Sequence, residues 1–105
     1  MAGEVIWAPS AKADLLGILE FIARDSHQQA LHVSQRILHA VDRLAVMPHM
    51  GRLLAISPEY RQIIWRSFRI VYRVEHEGRV RILAVVHGAK DWSLKDLPDQ
   101  TSMSE

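Results

Sequence analysis

Phe68-Arg69-Ile70-Val71-Tyr72-Arg73-Val74 alternates along its whole length. Phe68, Ile70, Tyr72 and Val74 share one face of a period-2 pattern, and Arg69 and Arg73, with Val71 between them, share the other. Such a strand presents one face to a core. Its other face carries guanidinium groups that need water or an anionic partner.

The loop His76-Glu77-Gly78 turns this strand back on the next, Arg79 to His87. A three-residue hairpin loop commonly ends on a left-handed residue, where glycine costs least, and Gly78 stands there. Residue 75 then opposes 79, so Val74 faces Val80, Tyr72 faces Ile82, Ile70 faces Ala84 and Phe68 faces Val86. This register makes one face wholly apolar, whereas a two-residue loop would mix the faces. The opposite face pairs Arg73 with Arg81, Val71 with Leu83 and Arg69 with Val85, and places His87 diagonal to Arg69. Directly opposed arginines repel. Relief must come from Glu75 with solvent, or from an anionic ligand.

Upstream, Tyr60 to Trp65 reads as a further strand joined to the first by Arg66-Ser67. Before it, Pro48-His49-Met50-Gly51-Arg52 ends a helical region and opens a surface loop through Ser57-Pro58-Glu59. Two helices precede that loop. Ser10 is placed to cap the first, which carries Leu15, Ile18, Leu19 and Ile22 at helical spacing as far as about Arg24. Ser26-His27-Gln28-Gln29 has the form of a capping box for the second, whose apolar stripe of Ala30, Val33, Ile37, Ala40, Val41 and Leu44 runs to Met47. So short a connection implies an antiparallel helical hairpin. Glu4 to Ala8, rich in strand formers and stopped by Pro9, is an N-terminal strand. The expected fold is α+β, in the order β-α-α-β-β-β: an N-terminal strand, an antiparallel helical hairpin, then three antiparallel strands forming one sheet packed on the helices.

At 105 residues the chain is long enough for one core. A single domain is expected over 1–98, with a polar, disordered tail over 99–105. Hydrophobic residues make up 49% and charged residues 24%, ordinary globular usage that argues against disorder of the whole chain. The chain has no cysteine, which removes disulfides, thiolate nucleophiles and cysteine zinc sites and suits a reducing compartment. No leader pattern or membrane-length apolar run is present, and a cytoplasmic location without membrane contact is expected. His27, His32 and His39 lack the tight spacing of a metal pair, and no motif calls for a metal or cofactor.

The net charge of +1 hides an uneven distribution. Residues 48–87 hold seven arginines, no lysine and three glutamates. Arginine's planar fork can hold phosphate or carboxylate through two parallel hydrogen bonds, so this segment suits anion recognition. The plain alternative is that the arginine stems cover sheet surface. Trp7 and Trp65 are read as packing residues. Trp92, Leu94 and Leu97 would fold back on the domain or serve as a contact.

Four pieces carry a family resemblance: Trp7-Ala8-Pro9-Ser10-Ala11 with Asp14-Leu15, Pro48-x-x-Gly51-Arg52, Phe68 to Arg73, and Val86-His87-Gly88-Ala89-Lys90-Asp91. In this order and spacing the chain resembles the RelE/ParE superfamily, the toxins of type II toxin-antitoxin modules, including plasmid stabilisation systems. The resemblance implies growth arrest and a cognate antitoxin, commonly acidic in the segment that covers the toxin. It leaves open a homodimer or a toxin-antitoxin hetero-oligomer. The ParE-like branch poisons DNA gyrase by binding. The RelE-like branch cleaves messenger RNA on the ribosome, for which Arg69, Arg61 and His87 would be the catalytic set. Gln62 stands where that branch would carry a second basic residue, and no tyrosine follows residue 72. With the Pro48-x-x-Gly51-Arg52 and His87-Gly88-Ala89-Lys90-Asp91 pieces, this favours the gyrase branch. Arg52, Arg73, Arg81, Lys90 and Trp92 are then the candidate antitoxin- or target-binding residues. A third alternative is a toxin-fold binding protein without target activity.

Overall fold

In a computed structural model, residues 3–88 are described, and they form β1 (Val5–Trp7), α1 (Pro9–Ala23), α2 (His27–Val46), β2 (Arg52–Leu54), β3 (Ser57–Trp65), β4 (Phe68–Val74) and β5 (Val80–His87). One five-stranded sheet runs in the order β1-β5-β4-β3-β2. The expected α+β layout is present with two differences. Part of the segment expected as loop is the short strand β2, which pairs antiparallel with β3, and Ser57-Pro58-Glu59, also expected in that loop, forms the start of β3. The sheet is also mixed, because β1 runs parallel to β5.

The helices cover one face. Val33, Ile37, Val41 and Leu44 of α2 pack with Phe68, Ile70 and Tyr72 of β4 and Val80, Ile82 and Val85 of β5, all buried. Leu15, Ile18, Leu19 and Ile22 of α1 are partly buried against the same core. Full burial of an aliphatic side chain is worth about 1.5–3 kcal/mol, so this interleaved set dominates the stability of the fold. Ser26 caps α2 as expected, its hydroxyl accepting from the Gln29 N–H at 3.1 Å. Ser10 does not cap α1. Ala8 is the N-cap residue and Pro9 opens the helix, where its missing N–H costs nothing. The Ser10 hydroxyl donates instead to the Leu83 carbonyl, 3.2 Å away.

The β4–β5 hairpin follows the expected register only as far as Tyr72. Glu75 N–H bonds to Arg79 O, and Val74 faces Val80, Arg73 faces Arg81 and Tyr72 faces Ile82. Gly78 is left-handed, at φ 76°, and so is Glu77, at φ 62°. Beyond Tyr72 a β-bulge intervenes, and Val71 faces Ala84, Ile70 faces Val85, Arg69 faces Val86 and Phe68 faces His87. The expected pairings of Ile70 with Ala84 and Phe68 with Val86 are thereby corrected by one residue.

The cause lies on the other edge of β5. Its parallel partner β1 ends opposite Ile82, where Ala8 N–H bonds to Ile82 O. From Leu83 onward the backbone on that edge must find other partners. The start of α1 supplies them, with Ser10 on Leu83 O and Asp14 Oδ2 accepting from Val85 N–H at 3.1 Å. The bulge also turns Ala84 to the side of Leu83. There both are buried with Leu54, Tyr60 and Val71 in a second, smaller cluster on the sheet face away from the helices.

Candidate functional site

Because directly opposed residues of neighbouring strands share a face, the register sorts the candidate residues. On the face away from the helices, Arg52 opposes Gln62, which opposes Val71. Tyr60 opposes Arg73, which opposes Arg81, and Ile64 opposes Arg69, which opposes Val86. Four of the candidates, Arg52, Arg69, Arg73 and Arg81, therefore occupy one surface. Lys90 and Trp92 lie outside the described residues, as does the tail from Ala89 onward.

Glu75 resolves the opposed pair Arg73 and Arg81. Its Oε2 accepts from Arg73 Nη2 at 2.7 Å and from Arg81 Nε at 2.8 Å. The hydrogen bond from Arg81, with a further one from Arg73, holds the Glu75 carboxyl below the usual glutamate range despite partial burial. Neither arginine is a bare charge. Arg69, four residues from Arg73 along the strand, has no acidic partner among the described residues. Nearby, Gln62 Oε1 is buried without a hydrogen-bond partner among the described residues.

The other two members of the expected catalytic set lie across the sheet. Arg61 opposes Leu53 and the core residue Tyr72. Its Nη1 donates to Gly51 O at 2.8 Å and to His49 O at 3.2 Å, which makes it an anchor for the loop before β2. Tyr72 serves the same loop. Its buried hydroxyl donates to Pro48 O at 2.8 Å and accepts from Gly51 N–H at 2.9 Å, and burial raises its pKa above the ordinary tyrosine value. A Cβ on Gly51 would sit 2.5 Å from that hydroxyl and 2.8 Å from Gln62 O, so the close approach requires glycine. The Pro48-x-x-Gly51-Arg52 motif is thus a pinned loop that delivers Arg52 into β2.

His87 is also displaced from its expected neighbour. The bulge sets it opposite Phe68, where the two rings stack with centroids 4.4 Å apart and 17° between planes. Phe68 belongs to the helix-side core, so His87 projects from the face opposite to Arg69. The sheet therefore separates Arg69 from Arg61 and His87.

Sequence reasoning missed the dual role of Tyr72, the anchoring role of Arg61 and the bonds from Ser10 and Asp14 to β5. One signal for Arg61 was present. A two-residue turn at Arg66-Ser67 pairs residue 61 with 72, on the core face. On the helical side, Trp7, Lys12, Leu15, Leu16 and Leu38 line an open apolar groove of about 310 Å³. Leu16 and Leu38 are exposed there. Among the described residues no helix is long and apolar enough to cross a membrane.

Comparison with known proteins gives a consistent family. The model of the ParE toxin of the type II toxin-antitoxin system parDE matches residues 5–92. Toxin ParE1 of Mycobacterium tuberculosis is 32% identical over 93 residues, which cover 87% of this chain and 95% of that protein. Toxin RelE2 of Caulobacter vibrioides is 32% identical over 87 residues, 83% of this chain and 97% of that one. Among solved structures, the chromosomal ParDE toxin-antitoxin system from P. aeruginosa contains a chain with the same fold. Its TM-score is 0.70 at 22% identity, covering 84% of this chain and 98% of that one. The toxin-antitoxin complex RelBE2 from Mycobacterium tuberculosis gives 0.58 at 21%, covering 83% and 99%.

Proposed function

This chain belongs to the ParE toxin family of type II toxin-antitoxin systems, and from that premise we propose that it arrests growth by binding DNA gyrase and does not cleave message. The observation that carries the proposal is the separation of Arg69 from Arg61 and His87 by the sheet. Ribonuclease chemistry needs a base within about 3 Å of the ribose hydroxyl and a cation on the same phosphate. Here His87 stacks on Phe68 from the opposite face and Arg61 is committed to two backbone carbonyls, while His49 lines a pocket with Arg61 and Arg73 that Arg69 does not line. A binding surface has no such requirement.

The partner that neutralises the toxin is a cognate antitoxin. Two features suit it: the face bearing Arg52, Arg69, Arg73 and Arg81, which complements an acidic segment, and the apolar groove at Trp7, Leu16 and Leu38, which accepts aliphatic side chains. The test is direct. Purified protein should inhibit gyrase supercoiling or trap cleaved DNA, and leave message intact in programmed ribosomes. Ribosome-dependent cleavage that is lost in a folded Arg69→Ala variant would overturn the proposal in favour of the RelE-like activity. Failure to arrest growth when expressed without an antitoxin would favour a binding protein without target activity.

A further inference from the structure

The end of the sheet at the β3–β4 turn carries a cluster that neither the gyrase reading nor antitoxin binding uses. Trp65, Phe68 and His87 oppose one another on three adjacent strands, and their rings form a continuous stack. Trp65 and Phe68 lie 5.7 Å apart at 16°, and Phe68 and His87 4.4 Å apart at 17°. His32 of α2 meets Trp65 edge-on at 6.1 Å. Two guanidinium groups attend the same indole, Arg36 at 5.9 Å and Arg66 at 5.2 Å from its centroid. Phe68 is buried and Trp65 partly so, while His32, Arg36, Arg66 and His87 are exposed.

Charge makes this surface one-sided. No acidic residue occurs between Asp25 and Asp42 in α2, between Glu59 and Glu75 across β3 and β4, or from Val80 to Gly88. Two arginines beside one indole therefore have no carboxylate from these segments to offset their repulsion. Arg66 is also held at φ 54° in the two-residue turn, a left-handed conformation that is strained for a non-glycine residue. Glycine would make that turn at lower cost. The geometry of the turn does not call for arginine there.

We propose that this end of the sheet binds a single-stranded polynucleotide, with Arg36 and Arg66 on its phosphates and an unpaired base stacked on an exposed end of the Trp65–Phe68–His87 column, whose middle ring is covered on both sides. Flat rings with flanking arginines and no carboxylates from these three segments match phosphate and base together. An acidic peptide would satisfy the arginines but leave the ring stack without a planar partner. The contact goes beyond the gyrase reading, which requires only protein binding.

The test is fluorescence anisotropy of the full chain, without gyrase, on labelled oligo-dT and oligo-rU of about twelve nucleotides and on a duplex of the same length. Saturable binding to a single strand is expected, accompanied by quenching of tryptophan emission that disappears in Trp65→Phe. Tighter binding of the DNA or the RNA strand identifies the source, and either supports the site. Arg36→Gln with Arg66→Gly should weaken binding about tenfold or more and flatten the salt dependence by about 0.7 for each arginine. Arg66→Gly alone should weaken binding while keeping or raising Tm, which a purely structural arginine would not do. No single-strand binding, unchanged affinity in the double variant, equal affinity for duplex, or displacement by an acidic peptide at matched concentration would each overturn it. Because gyrase is absent, failure here leaves the gyrase reading intact, and a negative supercoiling assay leaves this site intact.

Discussion

Replacing Tyr72 by phenylalanine removes one oxygen from the centre of the molecule and tests whether the Pro48–Arg52 loop is pinned as described. The hydroxyl makes two hydrogen bonds, one donated to Pro48 O at 2.8 Å and one accepted from Gly51 N–H at 2.9 Å. The partners are not equivalent. Pro48 is only partly buried, so water can replace the donor to its carbonyl, whereas Gly51 is buried and its N–H is left without an acceptor. The expected cost is therefore that of one orphaned buried group, about 2 kcal/mol. In a domain of this size that lowers Tm by roughly 10 °C. Gly51→Ala should cost about 1–3 kcal/mol by overpacking, since its Cβ would meet both the hydroxyl and Gln62 O. Because Tyr72→Phe removes only the first of these obstacles, the double variant should be less destabilised than the two changes predict separately, by about 1 kcal/mol. Urea and thermal unfolding of the four proteins measure the cycle. A Tyr72→Phe protein within about 0.5 kcal/mol of the parent, or strict additivity, would refute the pinned loop.

The two carboxylates with displaced pKa values predict opposite pH behaviour. Glu75 is held below the ordinary value by Arg81 and Arg73, so its stabilisation is present above about pH 4.5 and is lost as pH falls through the lowered folded value. Glu75→Gln should cost about 1–2 kcal/mol at pH 7, with a gap from the parent that closes on acidification when Tm is followed against pH. Asp14 is raised by burial, which outweighs its bond from Val85 N–H, so its charge opposes folding above the folded pKa and that cost disappears as pH falls through it. Asp14→Asn, which keeps an acceptor and loses the charge, should match or exceed the parent Tm at pH 7. Asp14→Ala should lose about 1 kcal/mol by leaving Val85 N–H unpaired, and an Asn variant less stable than Ala would contradict this account.

What was legible in the sequence is what depends on near neighbours. The alternation of residues 68–74 identified the core face, the helical stripes identified what covers it, and Gly78 fixed the turn and the first three pairings of β5. The bulge was not legible. It depends on Ser10 and Asp14, more than seventy residues distant along the chain, which reward an extra residue by bonding Leu83 O and Val85 N–H. Strand β2 was missed because three residues give too little pattern for a period to register. The second cluster at Tyr60, Val71, Leu83 and Ala84 was missed for a related reason. With Val71 flanked by arginines, the face read as polar, although the guanidinium groups of Arg73 and Arg81 gather on Glu75 and leave room for aliphatic packing.

The bulge has a chemical consequence beyond register. Had the first pairings continued, Arg69 would oppose Val85, and His87 would project from the same face within reach of it. One additional residue in β5 sends His87 through to the aromatic stack on Phe68 and leaves Arg69, among the described residues, opposite Ile64 and Val86 on its own face. The residues that hold the bulge open belong to Pro9-Ser10-Ala11 and Asp14 at the start of α1, not to the face where chemistry would occur. Arginine and histidine on the C-terminal strands are therefore insufficient to place a chain of this fold among ribonucleases. The start of the first helix decides which face the histidine serves, and here it serves the aromatic end of the sheet.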